Sequence, residues 1–374
     1  MPRLVFLVTE DWYFVSHRLP LALAAKRAGY EVTVVTRCGA AAQAIRAAGI
    51  NTVPFGMARR GLNPFGLLRE VLAVVRLYRR LQPDLVHHVA VRPVVVGGLA
   101  ARLLGLHAVI SAIAGMGFVF TGKRNGWLAH AVRTLLRLSL ARGPVIVQNP
   151  DDARALERLG VEPQRIRLIL GAGVDVARFV PQSEPPGMQV VMLATRLLWD
   201  KGVGEFVAAA RQLRGRARFV LVGAPDADNP ASVTDAELQA WVDEGVVERW
   251  GQRQDMAAAL NHAHIVCLPS YREGLPKVLL EAMACGRACI ATDAPGCREA
   301  VRDGDNGLLV PVEDAVALAQ AIERLIADPA LRQRLGARGR QRAVDEFGQE
   351  QVIEASLAVY REACPGAPRI TSRP

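Results

Sequence analysis

With 374 residues, 51% of them hydrophobic, the chain can bury two cores of ordinary size, and its first strand candidate follows Met1-Pro2-Arg3 directly, which predicts no export signal. Its six cysteines (Cys38, Cys267, Cys285, Cys289, Cys297 and Cys364) form no C-x-x-C pair and lie mainly in apolar segments, so they read as reduced packing residues of a cytosolic protein rather than a disulfide framework. The formal net charge of +10 is uneven: residues 1–172 hold 23 Lys+Arg against 9 Asp+Glu, and the rest of the chain holds 23 against 27. Such asymmetry predicts an anionic partner for the first half; with aromatics at 5% and no nucleic-acid motif, a membrane surface fits and a nucleic acid is not expected.

In chain order, a strand Leu4–Val8, a helix predicted over Ser16–Ala28 and closed by Gly29, and a strand Glu31–Thr36 make a β-α-β unit. Further strands are predicted at Asn51–Phe55, Asp84–His88, Ala108–Ala112 and Val145–Gln148, with helical patterns near 64–81, 94–104 and 127–142. This alternation implies a parallel, Rossmann-like sheet. The first strand-to-helix connection, Thr9 to Ser16, contains no glycine and cannot be a dinucleotide fingerprint. The weakly polar run Leu103 to Phe120 approaches the length of a membrane span, but Gly105, Gly115 and Gly117 punctuate it and Ala108–Ala112 reads as a strand.

Glycine and proline gather around Gly171–Asp175 and Pro181–Gly187, the texture of a linker, and a second β/α series opens there. Its predicted strands are Gln189–Thr195, Arg218–Val222, Val246–Trp250, His264–Leu268, Ala288–Ala291 and Gly307–Val310, followed by helices Val312–Ala327, Ala330–Glu346 and Glu350–Ala363. The expected organisation is an α/β chain of two Rossmann-like domains, 1–172 and 173–349, with the segment 350–374 crossing back onto the first.

Two segments of the second domain carry chemistry. In Leu268–Met283 the acids Glu273 and Glu281 bracket a strand–loop–helix switch, with a helix predicted to start near Pro276. Ligands in open α/β sheets sit beyond the carboxyl ends of strands, and helix starts attract phosphate, so the two acids could hold the hydroxyls at both ends of a diphosphate-centred ligand such as a nucleotide sugar. Helix-start acids are also favoured by the macrodipole alone, and paired carboxylates serve glycosidases as well. The second segment, Arg196–Val203, places Arg196 and Lys201 where a strand ends and a helix begins, either as clamps on a diphosphate or as solvated surface charges. The Gly251–Asp255 stretch follows another strand and could edge a base.

The motifs R-x4-K-G at Arg196–Gly202 and E-x7-E at Glu273–Glu281, with P-S-x-x-E-G-x-P before the helix, resemble the retaining GT-B glycosyltransferases of family four. Within that family, Glu10–Pro20, Gly61–Phe65, Ala194–Phe206 and Leu268–Glu281 are similar to bacterial enzymes that extend undecaprenyl-diphosphate-linked sugars, N-acetylgalactosaminyltransferases among them. The resemblance implies two Rossmann-like domains with parallel sheets facing across a cleft. It implies a nucleotide-sugar donor and a lipid-linked sugar acceptor, retention of configuration, no resident cofactor and no catalytic metal, positive residues neutralising the leaving group. It assigns Arg196 and Lys201 to the donor diphosphate, Glu281 to the ribose, Glu273 with the Gly274, Leu275 and Pro276 backbone to the donor sugar, and places Arg253 beside the base. Two departures stand out: Trp12 to Val15 replace glycines in the first loop, and His87-His88-Val89 stands where many members read H-x-H. His17, Arg18, His88 and Arg92 are the acceptor-side candidates that remain. A sugar-nucleotide epimerase of the same fold, or a non-catalytic basic membrane-binding protein, would share part of this pattern. A peripheral position at the inner face of the cell membrane is expected from two Arg-rich helical stretches. One carries Arg69, Arg76 and Arg80, thickened by Arg59, Arg60 and Arg79; the other, Trp127–Arg142, carries Arg133, Arg137 and Arg142.

Overall fold

A computed structural model describes residues 1–57, 63–113, 115, 127–226 and 229–365, with the backbone alone for 127–131. The elements run β1 (Arg3–Glu10), α1 (Asp11–His17), α2 (Leu19–Arg27), β2 (Glu31–Arg37), α3 (Ala42–Ala47), β3 (Asn51–Pro54), α4 (Pro64–Leu81), β4 (Leu85–Val89), α5 (Val91–Leu104), β5 (Val109–Ile113), α6 (Trp127–Ser139), β6 (Val145–Val147), α7 (Pro150–Arg158) and β7 (Ile166–Leu168). They continue as β8 (Val190–Ala194), α8 (Val203–Gln212), β9 (Arg218–Val222), α9 (Asp235–Asp243), β10 (Glu248–Gly251), α10 (Met256–Asn261), β11 (Ile265–Leu268), α11 (Lys277–Ala284), β12 (Ala288–Thr292), α12 (Cys297–Ala300), β13 (Gly307–Val310), α13 (Ala315–Ala327), α14 (Pro329–Asp345) and α15 (Gln349–Ala363). The chain divides into two compact units, residues 1–172 with 352–374, and residues 173–351.

The first unit holds a seven-stranded sheet in the order β3-β2-β1-β4-β5-β6-β7, and the second a six-stranded sheet in the order β10-β9-β8-β11-β12-β13. Every ladder in both is parallel. Parallel strands covered by helices on both faces need apolar side chains in both directions, which is why β8 (VVMLA) and β12 (ACIAT) are buried at every position. Along β1, the period of two sends Leu4, Phe6 and Val8 into a core shared with α1, α2 and α15, and Val5 and Leu7 into a second core under α4 and α5.

The strand β4 reads Leu-Val-His-His-Val and is wholly buried, so its two imidazoles need partners inside. His87 Nδ1 lies 2.6 Å from the Tyr360 hydroxyl of α15, and His88 Nε2 lies 2.9 Å from the Tyr78 hydroxyl of α4. Burial holds the His88 imidazole far down, at a pKa of about 3, so it stays neutral. The C-terminal helix thus packs into the first unit's core through Val352, Leu357, Val359 and Tyr360.

The single helix predicted from Ser16 is two helices. β1 extends to Glu10 and α1 begins at once; Arg18 then leaves the helical region (φ −127°, ψ −16°), and α2 restarts with Pro20 in its first turn. A proline inside a continuous helix would remove an N–H and press on the carbonyl four residues back, so the chain breaks before it. The glycine-free first connection is accordingly closed: Asp11 is buried and its carboxylate accepts from the Gly39 backbone N–H at 2.6 Å. The run from Leu103 resolves, as far as Ile113, into the end of α5, a loop and β5, while residues 114 and 116–120 lie outside the described residues; no helix among the described residues is long and apolar enough to cross a membrane.

Candidate active site

In the second unit the chain turns from β8 outward in both directions, toward β9 and β10 on one side and toward β11, β12 and β13 on the other. The crevice at the carboxyl ends of β8 and β11 is therefore the topological switch point, where α/β sheets accept ligands. Both chemistry-bearing segments leave the sheet there.

After β8, Trp199–Lys201 forms one 3₁₀ turn and Gly202 adopts φ +73° to start α8. A Cβ at Gly202 would lie 2.1 Å from the Pro269 carbonyl oxygen, so only glycine lets this loop touch the one that follows β11. The two loops are then tied together. The Ser270 hydroxyl and the Tyr271 backbone N–H donate to the Asp200 carbonyl at 3.2 and 3.0 Å, and the Tyr271 hydroxyl donates to Glu205 Oε1 at 2.7 Å. Across this seam, Lys201 Nζ donates to Glu273 Oε1 at 2.6 Å, with side chains only 13% and 16% exposed.

Glu273 is held from behind by its backbone N–H on the Pro295 carbonyl at 2.9 Å, and Gly296 (φ +87°) leaves room for the 273–274 backbone, which a Cβ there would meet at 2.6 Å. Pro276 is the N-cap of α11 rather than its first helical residue, so the helix starts one position later than predicted. Glu281, in its second turn, is 7% exposed and meets Lys277 Nζ at 3.2 Å. Burial pushes its carboxyl above the ordinary value, against the opposing pull of Lys277 and Arg178. Arg196 reaches Asp226 on the loop after β9 (Nη1 to Oδ2, 3.2 Å). Arg253 stacks its guanidinium 5.6 Å from the Trp250 ring centre and lines a depression along α10 with Gln254, Asp255 and His262.

The residues predicted from sequence thus separate into groups. Lys201, Glu273 and the Gly274, Leu275 and Pro276 backbone converge at the switch point, Arg196 and Glu281 stand on the same two segments, and Arg253 lies on the β10 side. In the first unit, His17 stacks on Tyr13 (centroids 4.2 Å apart) and lines a small cavity with the buried Arg18, Pro20, Leu21, Ile353 and Ser356. Arg92 pairs with Glu70 at 2.8 Å. The expectation for His88 is corrected: its ring is fully buried against Tyr78 and Gly97 and cannot touch an acceptor. Asp226, Tyr271 and Glu205 escaped sequence reading because each pairs with a side chain 30 or 66 residues away, and no local pattern marks them. Of the basic cluster, Arg69, Arg76, Arg79 and Arg80 are exposed on α4 beside Phe65, Leu68 and Leu72. Arg133 and Arg137 are exposed on α6, whereas Arg142 lies past that helix and donates to the Leu106 carbonyl. Arg59, Arg60 and Gly61, and the Trp127 side chain, lie outside the described residues.

Comparison with known proteins bears on both units. Residues 3–149 match the family model described as glycosyl transferase 4-like, and residues 188–328 match that of glycosyl transferases group 1. The chain is 29% identical, over 96% of its length and 98% of the relative's, to an N,N'-diacetylbacillosaminyl-diphospho-undecaprenol alpha-1,3-N-acetylgalactosaminyltransferase of Campylobacter jejuni. Its fold is shared with a sucrose-phosphate synthase of Thermosynechococcus elongatus (TM-score 0.80, 23% identity, 97% and 99% of the two chains). It is also shared with Anabaena HepE, solved with UDP-glucose (TM-score 0.77, 20% identity, 96% and 100%). With a match on each unit and the same two-sheet architecture throughout, the chain belongs to the group 1, family 4-like glycosyltransferases of the GT-B fold.

Proposed function

We propose that this glycosyltransferase moves a hexose or N-acetylhexosamine from a UDP-sugar to a lipid-linked glycan acceptor, with retention at the anomeric carbon, in the assembly of a surface polysaccharide or related glycan. The observation that carries this reading is the Lys201–Glu273 pair at the switch point of the second unit, a cation for a diphosphate beside a carboxylate for sugar hydroxyls. The named activity of the Campylobacter relative on a diphospho-undecaprenol substrate and the UDP-glucose held by HepE support the choice of acceptor and donor; retention rests on the resemblance of the motifs.

In this reading Arg196 and Lys201 take the diphosphate, the Glu281 carboxylate accepts from the ribose hydroxyls, Glu273 and the Gly274–Pro276 backbone orient the sugar, and Arg253 flanks the base. The two cations neutralise the departing diphosphate, so no resident metal or cofactor is required. On the first unit His17 and Arg92 are assigned to the acceptor side, while Arg18, nearly as buried as His88, is not; the basic side of α4 rests on anionic lipid at the inner face of the membrane, and nucleic acid is not a partner.

The test is mass spectrometry of transfer to short lipid-diphosphate acceptors against a panel of UDP-, GDP- and ADP-sugars. A single-sugar mass increase from a UDP-sugar is expected, and no increase from any UDP-sugar overturns the reading. Chelator should leave the rate within about twofold, because charge stabilisation comes from side chains; a loss that magnesium alone restores counts against it.

A further inference from the structure

Both cations of the R-x4-K-G segment are already engaged by carboxylates from other loops. Lys201 is matched by Glu273, which the proposed function uses for the sugar. Arg196 is matched by Asp226, to which nothing above gives a role.

The two members of the Arg196–Asp226 pair are unequal. The arginine side chain is 48% exposed and the aspartate only 16%. Asp226 is placed by the backbone. Its N–H donates to the Ser232 hydroxyl at 2.8 Å and its carbonyl accepts from the Asn229 N–H at 2.7 Å. That turn is in turn fastened to the β8–α8 segment, with the Trp199 N–H on the Ala231 carbonyl at 2.8 Å and the Val233 N–H on the Leu197 carbonyl at 2.9 Å. The carboxylate is therefore fixed and the guanidinium is the partner able to swing.

We propose that Asp226 is a place-holding anion: it keeps Arg196 neutralised and oriented while the site is empty, and the diphosphate of the donor displaces it. This deepens the proposed function and rests on the assignment of Arg196 to the diphosphate. An internal carboxylate that competes with the ligand's phosphates lowers the affinity for any nucleoside diphosphate, the spent donor included, and so favours product release. A half-exposed ion pair is weak, so the effect is modest and tunable, unlike that of a buried pair.

The experiment is calorimetric titration of UDP into the wild type, Asp226→Asn, Arg196→Ala and the double variant. Asp226→Asn should tighten UDP by about threefold, the scale of one half-exposed pair. Arg196→Ala should weaken it by about tenfold or more, as expected for loss of a charge-assisted contact. In the double variant the Asn substitution should add nothing, because its effect passes through Arg196. Unchanged or weaker UDP binding in Asp226→Asn overturns the proposal. So does the same tightening in the Arg196→Ala background, since Asp226 would then act by general repulsion. If Arg196→Ala binds UDP as the wild type does, it is the assignment of Arg196 to the diphosphate that fails, and that result is read from a different variant.

Discussion

With the ribose role proposed above, Glu281 places stability and ligand binding in opposition. A carboxylate 7% exposed, with one lysine 3.2 Å away, is held above its ordinary pKa by burial. A group whose folded value is raised contributes stability that is complete below its unfolded value and declines as pH rises through the folded one. Glu281→Gln should therefore melt higher than the wild type at neutral pH and converge with it in acid, below the ordinary glutamate range. The same variant should lose about tenfold or more in kcat/KM and most of the donor-induced rise in melting temperature, because a neutral amide accepts more weakly from hydroxyls. A Gln variant that melts lower at neutral pH, or that keeps wild-type kcat/KM, contradicts this account. Glu281, Glu273, Lys201 and Arg196 were legible in the sequence because their spacing fixes their place on a strand end or a helix turn. His88 was not: a buried strand shows no pattern that tells a core imidazole from one at a strand's open end, and its partner Tyr78 is on a different element.

At the scale of elements, the site is a seam between two loops, and the seam depends on backbone contact. With Gly202 at φ +73° and its missing Cβ facing the Pro269 carbonyl at 2.1 Å, an alanine there must both adopt a left-handed conformation and push the β11 loop away. Gly202→Ala should fold, since the strain is local, yet lose about tenfold or more in kcat/KM as Lys201 and Glu273 separate. Circular dichroism paired with kinetics reads this, and wild-type turnover in the alanine variant would show that the two loops need not touch. The glycine was visible in the sequence as part of a motif; its opposing carbonyl, 67 residues on, was not. Element types followed readily from apolar runs and caps, whereas the α1–α2 break and the short edge strand β7 did not. A proline in a first helical turn and three residues at a sheet edge leave little periodic signal.

Over the whole molecule, the excess positive charge of residues 1–172 finds an outlet on α4. Val71, Val74, Val75 and Tyr78 face the core, and the opposite side carries Arg69, Arg76, Arg79 and Arg80. Phe65, Leu68 and Leu72 share that outer side, exposed by 79%, 55% and 41%. The spacing of the arginines is legible in the sequence; that Leu68 and Leu72 point outward beside them is not, because helical periodicity places both close to the boundary of the buried stripe. Arginines around exposed large apolar side chains suit a helix lying in the interface of an anionic bilayer, the cations held at the headgroups and the apolar tips in the acyl boundary. At roughly 1 kcal/mol per cation, replacing Arg69, Arg76 and Arg80 by Gln should weaken partition onto anionic vesicles by about a hundredfold at low salt. UDP affinity, which the proposed function assigns to the other unit, should not move. Serine at Phe65, Leu68 and Leu72 should instead weaken binding to anionic vesicles at low and at moderate salt alike, since only the electrostatic part is screened. Wild-type protein should sediment with anionic vesicles and not with neutral ones. A triple Gln variant that sediments as the wild type does would place the docking surface elsewhere on the chain, and loss of UDP binding in that variant would mean that its effect is not confined to α4.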